Sequence, residues 1–246
     1  MSNHILFVFE GEKTEKQITQ NLKRFFINEN TVLLSAFCAD IYQLHKQISS
    51  DEDLDIFMLL KEKLQNSEVL SKYNRDDFAE IYLFFDYDGH ATSANDEKIE
   101  EILHFFNEET SSGKLFISYP MVEALKHYSN KIDFKELKIK AKENIGYKQV
   151  VGRESQNELQ HINKYTIDIW IQLIDLHLKK MNYITYNSYV LPKECISQKN
   201  IFAKQLENYI NIDSTVAVLS SFPIFLFDYY GHNYISKLLS ENSRTY

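Results

Sequence analysis

Two aspartates one residue apart, Asp86 and Asp88, follow the continuous apolar run Ile81-Tyr82-Leu83-Phe84-Phe85 and precede Gly89. Such a run suits a buried strand of a parallel sheet covered on both faces. Side chains at i and i+2 of a strand point the same way, so Asp86 and Asp88 are expected to aim two carboxylates at one spot. Ligands of open α/β sheets gather at the carboxyl ends of the strands. Two close carboxylates repel unless a proton or cation lies between them, and Mg²⁺ is the ordinary solution. The bland alternative is a strand that ends in a polar turn.

A second segment repeats this layout. His4-Ile5-Leu6-Phe7-Val8-Phe9 is an apolar strand candidate that ends in Glu10-Gly11-Glu12-Lys13-Thr14-Glu15. Helical periodicity follows, with Ile18, Leu22, Phe25 and Phe26 on one face. Glu10 reaches the same sheet edge as Asp86 if the two strands are neighbours. Thr14 is the expected N-cap, and Glu15 falls in the first turn, where the helix dipole favours a carboxylate. Capping would explain Glu15 but not Glu10.

Strand-Glu-Gly followed much later by strand-Asp-x-Asp resembles the Toprim domain of topoisomerases, primases and OLD-type nucleases. Glu10-Gly11-Glu12-Lys13-Thr14-Glu15 is most similar to the RloB-like branch, which includes the Toprim subunit of the PARIS anti-phage system. Ser118-Tyr119-Pro120-Met121-Val122-Glu123 resembles that branch's Asn-Pro-x-Phe-Glu element, with Tyr119 in place of Asn and His127 matching a later histidine. The resemblance covers about the first half of the chain. It implies a Mg²⁺- or Mn²⁺-dependent endonuclease with Glu10, Asp86 and Asp88 as catalytic residues. The implied metal ligands are Glu10, Glu15, Asp86, Asp88 and Glu123. It also implies an ABC- or SMC-like ATPase partner and a defence role, with RNA, including tRNA, favoured over DNA. Two ions would activate water and stabilise the leaving oxygen of a phosphodiester. Pro120 is expected at the first position of a helix, with Glu123 one turn in and, on the bland reading, a surface acid.

A rival reading uses the same residues. Phe85-Asp86-Tyr87-Asp88-Gly89 also resembles the opening motif of haloacid-dehalogenase phosphatases, although His90 follows in place of Thr or Val. That reading leaves Glu10 unexplained. A third is a non-catalytic regulatory subunit, against which the retention of three acids argues. There is no Gly-x-x-x-x-Gly-Lys-Ser/Thr loop, so a self-contained P-loop NTPase is not expected. No sequence feature marks a tyrosine nucleophile.

Net charge is -8, which opposes phosphate binding unless the basic residues are concentrated. Acids cluster at Asp51-Glu52-Asp53 and Asp96-Glu97, whereas Lys131, Lys135, Lys138, Lys140, Lys142, Lys148 and Arg153 lie close together in sequence. Lys126, His127, Lys138, Lys140, Lys142 and Lys148 are therefore the expected nucleic-acid contacts, with Tyr147 placed to stack on a base. The alternative is a solvated helix face balanced by Asp133, Glu136 and Glu143. His90 is a further phosphate candidate, and otherwise an exposed turn residue.

The remaining pattern positions these groups. Strands are expected at Thr31–Leu34, continuing through Phe37, and at Leu115–Ile117. Helices are expected at 41–48, 54–64 and 97–106. Alternating strands and helices predict an α/β fold: a Toprim-like, mostly parallel sheet flanked by helices, with right-handed crossovers. From about residue 131 the pattern turns helical, with a long periodic stretch from Ile162 to Met181 around Trp170 and another helix at 193–209. The expected domains are thus 1–130, catalytic, and 131–246, a helical substrate or partner subdomain. The aromatic segment Phe222–Tyr230 suits core or a subunit contact, and a homo-oligomer is expected. Cys38 and Cys195 have neither metal-ligand spacing nor a disulfide framework. With no secretory segment and no run long enough to span a bilayer, a cytoplasmic protein without membrane contact is expected.

Overall fold

The continuous apolar runs of the first 116 residues build a sheet with two buried faces. The computed structural model describes residues 3–29, 31–50 and 55–242; the acidic run at 51–53 and Leu54 lie outside them. The chain divides into two compact units, residues 1–86 with 93–116, and residues 87–92 with 117–246. Residues 87–92 and 117–130 thus belong to the second unit.

The first unit is α/β. Its elements are β1 (Asn3–Phe9), α1 (Lys13–Phe25), β2 (Thr31–Phe37), α2 (Ile41–Ser50), α3 (Ile56–Lys61) and α4 (Leu64–Leu70), then β3 (Phe78–Asp86), α5 (Asp96–Phe105), β4 (Asn107–Glu108) and β5 (Gly113–Ser118). The sheet order is β2-β1-β3-β5-β4, mostly parallel and flanked by helices. β1 pairs in parallel with β2, Asn3 opposite Thr31 through Phe9 opposite Phe37. It also pairs in parallel with β3, Phe9 opposite Phe84, after an irregularity between His4 and Ile5. The short β4 runs antiparallel to β5.

Side-chain alternation gives the sheet an aromatic face, where Phe7, Phe9, Tyr82, Phe84 and Phe116 interlock. Phe9 and Phe84 stack at 5.4 Å, and Phe84 and Phe116 at 5.8 Å. The opposite face carries Leu6, Val8, Leu83 and Phe85, all buried. Burial of both faces is the reason the strands appear in sequence as continuous apolar runs.

Two local expectations fail here. Helix α1 begins at Lys13 with Glu12 at the N-cap, so Thr14 lies inside the helix and caps nothing. The expected helix at 54–64 is two short helices. Asp55 caps α3 by accepting the amides of Phe57 (2.8 Å) and Met58 (3.4 Å). Asn66 of α4 donates to the Leu60 carbonyl of α3 at 2.9 Å, and Lys63 between them is extended. A continuous helix would give that carbonyl a different partner.

The second unit is mainly helical around a two-stranded antiparallel sheet of β6 (Lys138–Lys140) and β7 (Thr215–Ala217). Its helices are α6 (Tyr147–Glu154), α7 (Ile167–Tyr186), α8 (Gln198–Gln205), a short α9 (Asn211–Asp213) and α10 (Ser221–Asn242). Helix α7 is capped by Thr166 and buries Trp170, Leu173, Ile174, Leu178 and Met181; Ile162 precedes it in a 3₁₀ turn rather than inside it. The helix expected from residue 193 starts only at Gln198, where Ser197 caps it, and passes into a π-helical turn at Leu206–Ile210. Phe222 and Ile224–Phe227 are buried in α10, the core reading of that aromatic segment, and Gly231 breaks its helical geometry at φ 75°. No helix among the described residues is long and apolar enough to cross a membrane.

Candidate active site

Because β1 and β3 are adjacent and parallel, the residues that follow them leave the same edge of the sheet. Glu10 comes directly after β1, and Asp86 is the last residue of β3. Glu10 Oε2 accepts the Asp86 amide N–H at 3.5 Å. Both residues are half-buried. Glu15, in the first turn of α1, is only 8% exposed. Its carboxylate folds back over Gly11, where an added methyl would stand 2.8 Å from Oε1 and 3.0 Å from Oε2. Gly11 is therefore needed for this close approach.

Among the described residues, no three His, Cys, Asp or Glu side chains stand close enough to hold a metal ion. The expected ligand set of Glu10, Glu15, Asp86, Asp88 and Glu123 is therefore not gathered at one point, and Glu10 and Asp86 are two of these acids in contact. In type they fit Mg²⁺ or Mn²⁺: all donors are carboxylate oxygens, with no soft sulfur or nitrogen. In number they also fit, since Mg²⁺ keeps several waters and takes one or two carboxylates directly.

The other candidates belong to the second unit. Strand β3 stops at Asp86, and Asp88 has a left-handed φ of 45°, so the same-face geometry expected for an Asp-x-Asp strand does not hold. Instead the Tyr87 amide donates to the Ser118 carbonyl at 3.0 Å and the Asp88 amide to that of Pro120 at 3.1 Å. Asp88 Oδ1 lies 3.2 Å from His90 Nδ1. Gly89 passes so close to Tyr87 that a Cβ would meet the ring at 2.4 Å.

Pro120 is not the first residue of a helix, since a 3₁₀ turn starts at Val122 with Met121 before it. Glu123, within that turn, is 4% exposed and so is not a surface acid. Lys148 Nζ lies 3.8 Å from its Oε1.

His127 is fully buried and cannot meet a phosphate in this conformation. Its Nδ1 bonds with the Tyr147 hydroxyl at 2.9 Å and its Nε2 with Glu154 Oε2 at 3.1 Å. Burial holds its pKa below the usual histidine value, with Glu154 opposing. Tyr147 is buried too, at 6% exposure, and its ring packs edge-on against His127, so it is not an open stacking platform.

The basic series is dispersed rather than arrayed along a helix. Lys138 and Lys140 are exposed residues of β6. Both ammonium groups go to Asp213, one to Oδ2 and one to the backbone carbonyl, each at 2.6 Å. Lys135 pairs with Glu136 at 3.1 Å. Lys142 is half-buried with Nζ 5.2 Å from the centre of the Tyr87 ring. Lys126 is half-buried, and Lys148 is exposed.

Sequence reasoning missed Asp213 and Glu154, far in sequence from the lysines and histidine they hold. It also missed a cavity of about 190 Å³ lined by Asp88, Met121, Ile145, Tyr147 and Gln149 among others. The one available signal was Asn144-Ile145-Gly146, a turn sequence directly before a helix. No protein-family model, curated protein or solved structure matches this chain.

Proposed function

We propose that this chain is a Toprim-type, metal-dependent nuclease. It hydrolyses phosphodiesters of nucleic acid, RNA (tRNA included) in preference to DNA, as an anti-phage effector controlled by a separate ABC- or SMC-like ATPase. The observation that carries the reading is the adjacency of Glu10 and Asp86 at the carboxyl ends of neighbouring parallel strands. That adjacency favours a nuclease over a haloacid-dehalogenase phosphatase, whose motif gives Glu10 no role.

In this reading Glu10 and Asp86 would hold the ion, with Glu15, Asp88 and Glu123 the further acids that the Toprim resemblance implies as ligands. A bound Mg²⁺ would supply a Lewis acid for the phosphoryl oxygens and lower the pKa of a bound water. The Asp86 amide keeps the Glu10 carboxylate turned toward β3. Burial of Glu15 restricts its rotamers, so less side-chain freedom is lost when a ligand binds.

The test is cleavage of labelled RNA and DNA by the purified chain in Mg²⁺ or Mn²⁺, with and without the candidate ATPase. Glu10→Ala and Asp86→Ala should each lower cleavage on the order of a hundredfold or more, the scale of one electrostatic group at a reacting centre. The circular dichroism of both variants should remain native. Cleavage that persists in excess chelator, or in Asp86→Ala, would refute the mechanism. Phosphate release from small monoesters without attack on nucleic acid would instead select the phosphatase. Binding without cleavage under all metals would select a regulatory subunit.

A further inference from the structure

The cavity of the second unit that Asp88 lines holds more than that carboxylate. Its volume is about 190 Å³. A cavity of about 150 Å³ admits a benzene ring, and pockets for drug-sized ligands begin near 300 Å³. This one therefore suits a single substituted aromatic ring and is too small for a whole nucleotide. Pro120, Met121 and Ile145 supply apolar walls, and the buried ring of Tyr147 is fixed by its hydroxyl bond to His127. Around these walls stand the amides of Asn144 and Gln149 and the carboxylates of Asp88 and Glu143. Amides and carboxylates are the side chains that read donor and acceptor patterns on base edges. Lys140 and Lys148, both exposed, add positive charge to the lining.

Apolar walls, hydrogen-bonding edge groups and nearby ammonium groups match one ligand: a base with a phosphate on either side. We propose that this cavity receives a single unstacked nucleobase of a single-stranded nucleic acid, with the flanking phosphates drawn to Lys140 and Lys148. The proposal rests on the nuclease reading, because Asp88 lines the cavity and is also one of the three candidate catalytic carboxylates. The base would be held by apolar side chains, Pro120, Met121 and Ile145, with its edge hydrogen-bonded.

The experiment measures binding in excess chelator, where cleavage does not contribute. Labelled hexamers of each single base, as RNA and as DNA, are compared by fluorescence anisotropy with an abasic hexamer that keeps every phosphate. At least one base should bind about tenfold more tightly than the abasic hexamer. Ile145→Trp, which fills the cavity, should abolish that difference. Asn144→Ala, which removes only an exposed amide, should change the order of preference among the bases. Equal affinity for abasic and base-bearing hexamers would overturn the proposal, as would a preference unchanged in both variants. Binding of aromatic peptides without hexamer binding would overturn it in favour of a protein partner. Tighter binding of RNA than DNA would support the ribose form of the same ligand. Base-selective binding by a chain that cleaves nothing in Mg²⁺ would leave the base site standing and refute the nuclease. Cleavage without any base selectivity would do the reverse.

Discussion

His177 should make the second unit lose stability in mild acid. It sits on α7 with no solvent exposure. Its Nδ1 accepts the Ser220 amide N–H at 3.1 Å, and its ring lies edge-on to Phe134 at 4.9 Å. One turn later Lys180 is equally buried, with its ammonium donating to the Leu137 carbonyl and lying 4.5 Å from the Phe134 ring centre. Burial pushes the His177 pKa down to about 3, and Lys180 adds to the depression. The unfolded chain regains the ordinary value of 6.5. A depressed histidine binds fewer protons folded than unfolded. Its contribution is therefore complete above pH 6.5 and declines as pH falls from there toward the folded pKa of about 3. Two pH units at ~1.4 kcal/mol each amount to about 3 kcal/mol between about pH 6.5 and pH 4.5. The perturbation is His177→Gln, which keeps an acceptor for Ser220 and removes the titration. Trp170, the single tryptophan, is buried two turns earlier on α7, so its fluorescence reports the unfolding of this unit. In urea titrations at about pH 7 and pH 4.5, the wild type should lose about 3 kcal/mol more than His177→Gln. Equal losses in the two proteins would refute the burial argument.

Asn66 is 1% exposed; it accepts the Phe37 amide at 2.8 Å and donates to the Phe37 and Leu60 carbonyls, each at 2.9 Å. Gln65 also serves the Phe37 carbonyl, at 3.1 Å, and the Leu60 carbonyl still accepts the Lys63 amide at 3.2 Å, so Asn66→Ala mainly strands the Phe37 amide. Denaturation should show a loss of roughly 1–3 kcal/mol, and hydrogen exchange at Phe37 should accelerate. Gly11→Ala should displace the Glu15 carboxylate while changing stability by under about 1 kcal/mol, because only a side-chain end must move. Mn²⁺ titration and the cleavage assay should both weaken in that variant; unchanged metal binding would remove Glu15 from the site.

Much of the first unit was legible because its signals are local. Continuous apolar runs at 4–9 and 81–85 mark strands buried on two faces, and Ile99, Ile102 and Leu103 mark the inward face of α5. A period of two or of 3.6 survives whatever the rest of the chain does. The turns between elements were less legible. Thr14 has the chemistry of a cap, yet the preceding residue already lies within α1. The break between α3 and α4 is bridged by Asn66, which also caps the end of β2 through Phe37, a residue 29 positions away in sequence.

Types and spacing in the sequence singled out Glu10, Asp86 and Asp88 as acids able to do chemistry, and the resemblance to Toprim domains added Glu15 and Glu123. Strand order decided which of them are neighbours. Glu10 meets Asp86 because β1 lies between β2 and β3, a pairing that joins residues 76 positions apart and leaves no periodic trace. Tertiary packing also separated the lysines into a strand, a loop and a helix, and it buried His127, Tyr147 and Glu123, whose polar character alone predicts exposure. Burial is a property of what surrounds a side chain, and His127 is enclosed with Tyr147 and Glu154 from 20 and 27 residues away. Sequence fixes the local backbone preference and the chemical inventory; the long-range contacts that choose each group's neighbours, and hence its exposure and pKa, exist only in the folded chain.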